Sequence, residues 1–90
     1  MPNNPETWLG LAASYDRVRR YDLSDRAYTE AARLIGDRPE YYNNVGYSYL
    51  LRGDVAKAHS NFLKAHELDP DNLTINNNLE MLRYSSRRSS

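Results

Sequence analysis

Shifted against itself by 34 residues, the chain superposes position on position. Trp8 falls on Tyr42, Leu11 on Val45, Ala12 on Gly46 and Tyr15 on Tyr49; Ser24 then falls on Ala58, Tyr28 on Phe62, Ala31 on Ala65 and Gly36 on Pro70. Large side chains meet large ones and small meet small, with no gap in the register. A period of this length means that one supersecondary unit is used more than once, and that each unit buries its apolar face against the next. A further step of 34 brings Leu79 onto Val45 and opens a third unit that the 90 residues do not complete. The chain therefore reads as two repeats and a half.

Within each unit the apolar positions recur at helical spacing, and helix punctuation marks the boundaries. Asn4 can cap a first helix with Pro5 in its first turn; Asp37 or Arg38 precedes Pro39 for the third; Gly53-Asp54 ends the third and caps the fourth. Gly36 closes the second helix and Asp69-Pro70 the fourth. Five helices follow. Ala12 and Gly46 are the small residues at which paired helices can approach closely, so a bulky substitution at Gly46 is expected to damage folding.

The order aromatic, Leu, small, Tyr, small, aromatic, Ala, Pro at a 34-residue period resembles the tetratricopeptide repeat, most closely over Tyr42 to Pro70. The first unit departs modestly, with Ser24 at an alanine position and Gly36 at the proline position. The resemblance implies an all-α right-handed superhelix of antiparallel helix pairs. The expected units are a first repeat at about 5–38, a second at about 39–72, a capping helix at about 73–84 and a flexible tail over 85–90. In the third unit Asn76, Glu80 and Arg83 stand where the second has Tyr42, Gly46 and Tyr49, so a polar face is expected to end the array. Pro2-Asn3-Asn4 repeats the pattern of Pro70-Asp71-Asn72 between units, which raises the expectation that the chain is a piece of a longer protein.

Composition narrows the function classes. Twelve Lys+Arg against twelve Asp+Glu leave no basic surplus for nucleic acid. No apolar run approaches the roughly 18 residues of a membrane span, and Met1-Pro2-Asn3-Asn4-Pro5 lacks the features of a signal peptide, so the cytoplasm is the default placement. Without Cys there is no thiolate metal site or cysteine nucleophile. His59 and His66 stand seven residues apart, roughly 10 Å along a helix, too far to share a zinc. No phosphate loop or nucleophile elbow is present. Neither catalysis nor a cofactor is expected, and the tail cations Arg87 and Arg88 are assigned no role.

In the third helix Asn43, Tyr47 and Leu50 form a second stripe about 100° around from Tyr42, Val45, Gly46 and Tyr49. In tetratricopeptide arrays the first helix of each unit lines a concave groove, and the resemblance carries groove positions onto this chain. They are Glu6, Leu9, Ala13, Asp16 and Arg17; Glu40, Asn43, Asn44, Tyr47, Leu50 and Leu51; and Asn77, Asn78, Met81 and Tyr84. The Lys, Asn and Arg set with which chaperone-binding members hold a terminal carboxylate is replaced here by Leu9, Ala13, Tyr47, Asn77 and Met81. An extended peptide with apolar anchors is therefore the expected partner, its backbone read by the asparagine amides. The alternative is self-association, possible for a short array with open faces, which would make the protein a homodimer. Tyr41 to Leu51 followed by Gly53-Asp54 also resembles repeats of bacterial tight-adherence pilus assembly proteins.

Overall fold

The computed structural model describes the backbone of residues 3–89 and the side chains of residues 3–84. Five helices follow in order: α1 (Pro5–Arg17), α2 (Tyr21–Ile35), α3 (Pro39–Leu51), α4 (Val55–Leu68) and α5 (Leu73–Ser89). The punctuation acts as expected at most ends. Asn4 accepts a 2.9 Å bond from the Glu6 backbone N–H, and Asp54 one of 3.1 Å from Lys57. The cap of α3 is Arg38, whose side chain makes no capping bond, while the neighbouring Asp37 carboxylate accepts from the Tyr42 hydroxyl at 2.6 Å.

The two inner turns are copies of each other. In the first, the N–H of Arg19 donates to the Asp16 carbonyl and that of Arg20 to Tyr15; in the second, Gly53 donates to Leu50 and Asp54 to Tyr49, each 34 residues on. Both turns require a left-handed residue. The second places Gly53 there at φ +83°, whereas the first places Arg19 there at φ +61°. A side chain in that region costs roughly 1–2 kcal/mol.

Each α-hairpin closes over its own apolar cluster. Leu9, Ala12, Ala27, Tyr28 and Ala31 are buried between α1 and α2, with Trp8, Ile35, Tyr41 and Val45 packed against them. Because Tyr41 and Val45 belong to α3, this cluster also joins the first unit to the second. Ala58, Phe62 and Leu82 form the second cluster, with Tyr49, Leu50 and Leu79 against it, and so tie α3, α4 and α5 together. Gly46 lets the hairpin close: a Cβ at that position would lie 2.8 Å from two carbons of the Phe62 ring and 3.2 Å from the Ala58 carbonyl oxygen.

Three expectations need correction. Leu11, the equivalent of the half-buried Val45, is exposed, because α2 covers Val45 and no described helix lies on the corresponding side of α1. Residues 85–89, read from their serine and arginine content as a tail, continue α5. Pairing of the first unit with the second also rests on a polar centre where only apolar packing was foreseen. Asp16, placed in the groove by its repeat position, is 5% exposed. Its carboxylate accepts from the Tyr28 hydroxyl and from the Ser48 hydroxyl, both at 2.8 Å. Tyr28 also reaches the Asn44 carbonyl oxygen at 3.2 Å, and Arg52 donates to Ser48 at 2.8 Å. Arg52 then pairs with Asp25 on α2 through its two terminal guanidinium nitrogens and lies over the rings of Tyr21 and Tyr49 at 4.8 and 4.7 Å. Burial is the largest single influence and works against the Arg52 charge, but the bond to Asp25 together with the charges of Asp25 and the other groups around it holds the pKa above its ordinary value.

Candidate peptide-binding groove

The candidate groove lies along the odd-numbered helices α1, α3 and α5. Its clearest link is between α3 and α5, where the Asn78 side-chain N–H donates to Asn43 Oδ1 at 2.8 Å. An asparagine amide carries two N–H donors and a carbonyl acceptor, so this bond leaves the Asn43 amide N–H groups and the Asn78 carbonyl facing away from it. A donor and an acceptor side by side match the two polar groups of a peptide unit.

From that pair, successive turns of the two helices carry an apolar stripe. Tyr47 and Leu51 follow Asn43 along α3 at i+4 and i+8, and Met81 and Tyr84 follow Asn78 and Asn77 along α5. Their exposures are 48% for Tyr47, 46% for Leu51, 43% for Met81 and 63% for Tyr84. These are large side chains that the fold leaves in water although it buries their neighbours Gly46, Ser48 and Leu82. At the N-terminal ends of the same helices, a recess of about 310 Å³ opens beside Asn43, walled by Arg38, Glu40, Asn72 and Thr74. Arg38 and Glu40 pair at 3.3 Å on its rim.

Not every expected position contributes. Leu9 is buried in the first cluster and is a core residue, which corrects its placement in the groove. The repeat explains this: Leu9 stands to Asn44 as Asn43 stands to Asn78, so its position faces the next odd-numbered helix. Leu50 is likewise half-buried against Ala58, Phe62 and Leu82, and Asp16 belongs to the polar centre. Ala13 and Asn44 are half-buried, while Arg17 and Asn77 are exposed. The surface thus narrows to Asn43, Tyr47, Leu51, Asn77, Asn78, Met81 and Tyr84, with Arg17 the cation contributed by α1. Sequence reasoning missed Tyr28 and Ser48 as partners of Asp16, and Arg52 as the partner of Ser48 and Asp25; the signal available was a serine and an arginine four residues apart at the C-terminal end of α3.

The family model of the tetratricopeptide repeat matches residues 39–72, from the first residue of α3 to the turn after α4. Residues 39–72 are a tetratricopeptide repeat. The first hairpin repeats the matched unit at the 34-residue offset down to the turn hydrogen bonds, and α5 begins 34 residues after α3. No curated protein matches the chain as a relative. Tetratricopeptide repeats generally mediate protein–protein interaction, and the family fold is typically non-enzymatic. Among the described residues, no helix is long and apolar enough to cross a membrane, and no three metal-ligating side chains converge.

Proposed function

We propose that this chain is a protein-interaction module that binds an extended peptide segment across α3 and α5. The observation that carries the reading is the exposed stripe Tyr47, Leu51, Met81 and Tyr84 running on from the Asn43–Asn78 pair. Four large apolar groups give a peptide its contact area, and the amides give its backbone partners that water would otherwise supply. Aromatic residues beside a polar rim are the side chains on which binding energy concentrates. Arg17 at the α1 edge favours a segment with an acidic residue toward that end. The ligand class is a peptide with aromatic or aliphatic anchors and at least one carboxylate, acting in a scaffold or assembly role.

A random peptide library displayed against the immobilised protein tests this. Enriched sequences should carry apolar anchors, and their affinity should fall by about tenfold or more for Tyr47→Ala, a loss of about 1.4 kcal/mol, with helicity unchanged. Peptides that bind Tyr47→Ala and the parent equally would place binding elsewhere.

A further inference from the structure

A second surface lies on the opposite flank of α5. Between α4 and α5 a recess of about 960 Å³ is lined by Val55, His59 and Leu63 from α4 and by Leu79, Glu80 and Arg83 from α5. One repeat earlier, the positions equivalent to Asn76, Glu80 and Arg83 are Tyr42, Gly46 and Tyr49, and α4 covers all three. Phe62 lies on Gly46, the Lys64 ammonium over the Tyr42 ring at 5.9 Å and the Lys57 ammonium over the Tyr49 ring at 5.3 Å. The α5 flank is therefore the kind of face this fold closes with a helix.

A helix like α4 cannot close it. Glu80 replaces Gly46, and even a Cβ at Gly46 would lie 2.8 Å from the Phe62 ring. Yet Val55 and Leu63 on the α4 side remain 41% exposed each, at positions where α2 carries Tyr21 and Thr29. Whatever covers them must approach from farther out and answer the charges of Glu80 and Arg83. Both are exposed, and among the described residues neither is in an ion pair.

Glu80 and Arg83 lie three residues apart on one helix face with opposite signs. A two-fold axis that sets α5 antiparallel against its copy brings Glu80 of each chain to Arg83 of the other. A two-fold surface has to be complementary to itself, and this one is, in charge as well as in its apolar wall. The net charge of zero removes long-range repulsion between copies. We infer that the α4–α5 flank docks a second copy of this chain, with reciprocal Glu80–Arg83 pairs over a contact formed by Leu63 and Val55. The surface is separate from the peptide groove, so occupying one leaves the other open.

Sedimentation equilibrium of the full chain over a hundredfold concentration range tests the inference. The mass should rise from 10.4 kDa toward twice that value. Glu80→Arg and Arg83→Glu should each raise the dissociation constant by about tenfold or more, because each sets like charges opposite one another. Both substitutions together should restore parental association, and Tyr47→Ala should leave the mass curve unchanged. Circular dichroism of each variant checks that it is folded. A constant 10.4 kDa overturns the inference, as does a dimer indifferent to both single charge reversals. Failure of the double variant to recover, with the helical signal intact, also overturns it. So does a monomer whose α4–α5 flank instead takes up an unrelated amphipathic helix.

Discussion

Replacing Gly46 by alanine sets two effects of opposite sign against each other, and the structure decides between them. In an exposed helix interior the change would stabilise by about 0.8–1 kcal/mol, the propensity difference between the two residues. Here the added methyl would stand 2.8 Å from Phe62 Cδ1 and Cε1 and 3.2 Å from the Ala58 carbonyl oxygen. Neither neighbour can yield easily: Phe62 is fully buried, and the carbonyl belongs to the backbone of α4. Overpacking of this kind costs about 1–3 kcal/mol, so Gly46→Ala should destabilise by about 0–2 kcal/mol net, and Gly46→Leu by more. With a urea dependence of about 1 kcal/mol per molar for a small domain, the unfolding midpoint of Gly46→Ala should fall by up to about 2 M. The partner is identified by a double-mutant cycle with Phe62→Leu, read by circular dichroism at equilibrium. The second substitution alone opens space and destabilises, but in its presence Gly46→Ala should become neutral or stabilising, a favourable coupling of about 1–2 kcal/mol. An increase in midpoint for Gly46→Ala alone, or strict additivity with Phe62→Leu, would refute the close-contact explanation.

The remaining predictions concern the turn, the polar centre and alkaline stability. Arg19→Gly should raise stability by about 0.5–1 kcal/mol in thermal melts, since it relieves a left-handed arginine at the cost of a freer unfolded chain; a lower melting temperature would contradict the turn equivalence. Tyr28→Phe removes a hydroxyl bonded to a buried carboxylate and should cost about 1.5–3 kcal/mol at neutral pH, measured by urea titration. Burial first, then the bond to Asp16 and its charge, push the Tyr28 phenol far above its ordinary range. The folded state therefore keeps this proton while the unfolded chain loses it near about pH 10. The contribution is fully present below that pH and fades as pH rises, by about 1.4 kcal/mol per pH unit from this group. Tyr42, through its bond to Asp37, and Tyr41, through burial, act in the same direction. Stability measured from pH 9 upward should fall less steeply in Tyr28→Phe than in the parent, and equal slopes would remove Tyr28 from the account.

Residues that answer to a local rule were legible without coordinates. Asn4 and Asp54 cap because their side chains reach the first free N–H groups of the helix, and the 34-residue register places Gly46 at a close approach because glycine alone removes the Cβ. Positions whose meaning depends on a neighbouring unit were not legible. Leu9 and Asp16 share the period of groove residues, yet α3 lies over that side of α1 and takes them into the interior. Leu50 turns toward Phe62 rather than solvent because α5 completes a cluster there through Leu82. Periodicity assigns a residue to a face of its helix, but what covers that face is set by helices dozens of residues away. The Asn43–Asn78 bond shows the same limit: the 34-residue offset sets Asn43 on Asn77, whereas the folded helices pair Asn43 with Asn78. The extension of α5 to Ser89 was hidden for another reason, since the middling helix propensity of the serines masks the favourable one of the arginines between them.

Residue-by-residue chemical-shift mapping of the 15N-labelled chain with a library-selected peptide locates the bound surface. The largest changes should fall on Asn43, Tyr47, Leu51, Asn77 and Met81, while Val55, His59 and Leu63 on the far flank stay in place. Changes concentrated on that flank, or spread evenly over all five helices, would contradict a peptide site across α3 and α5.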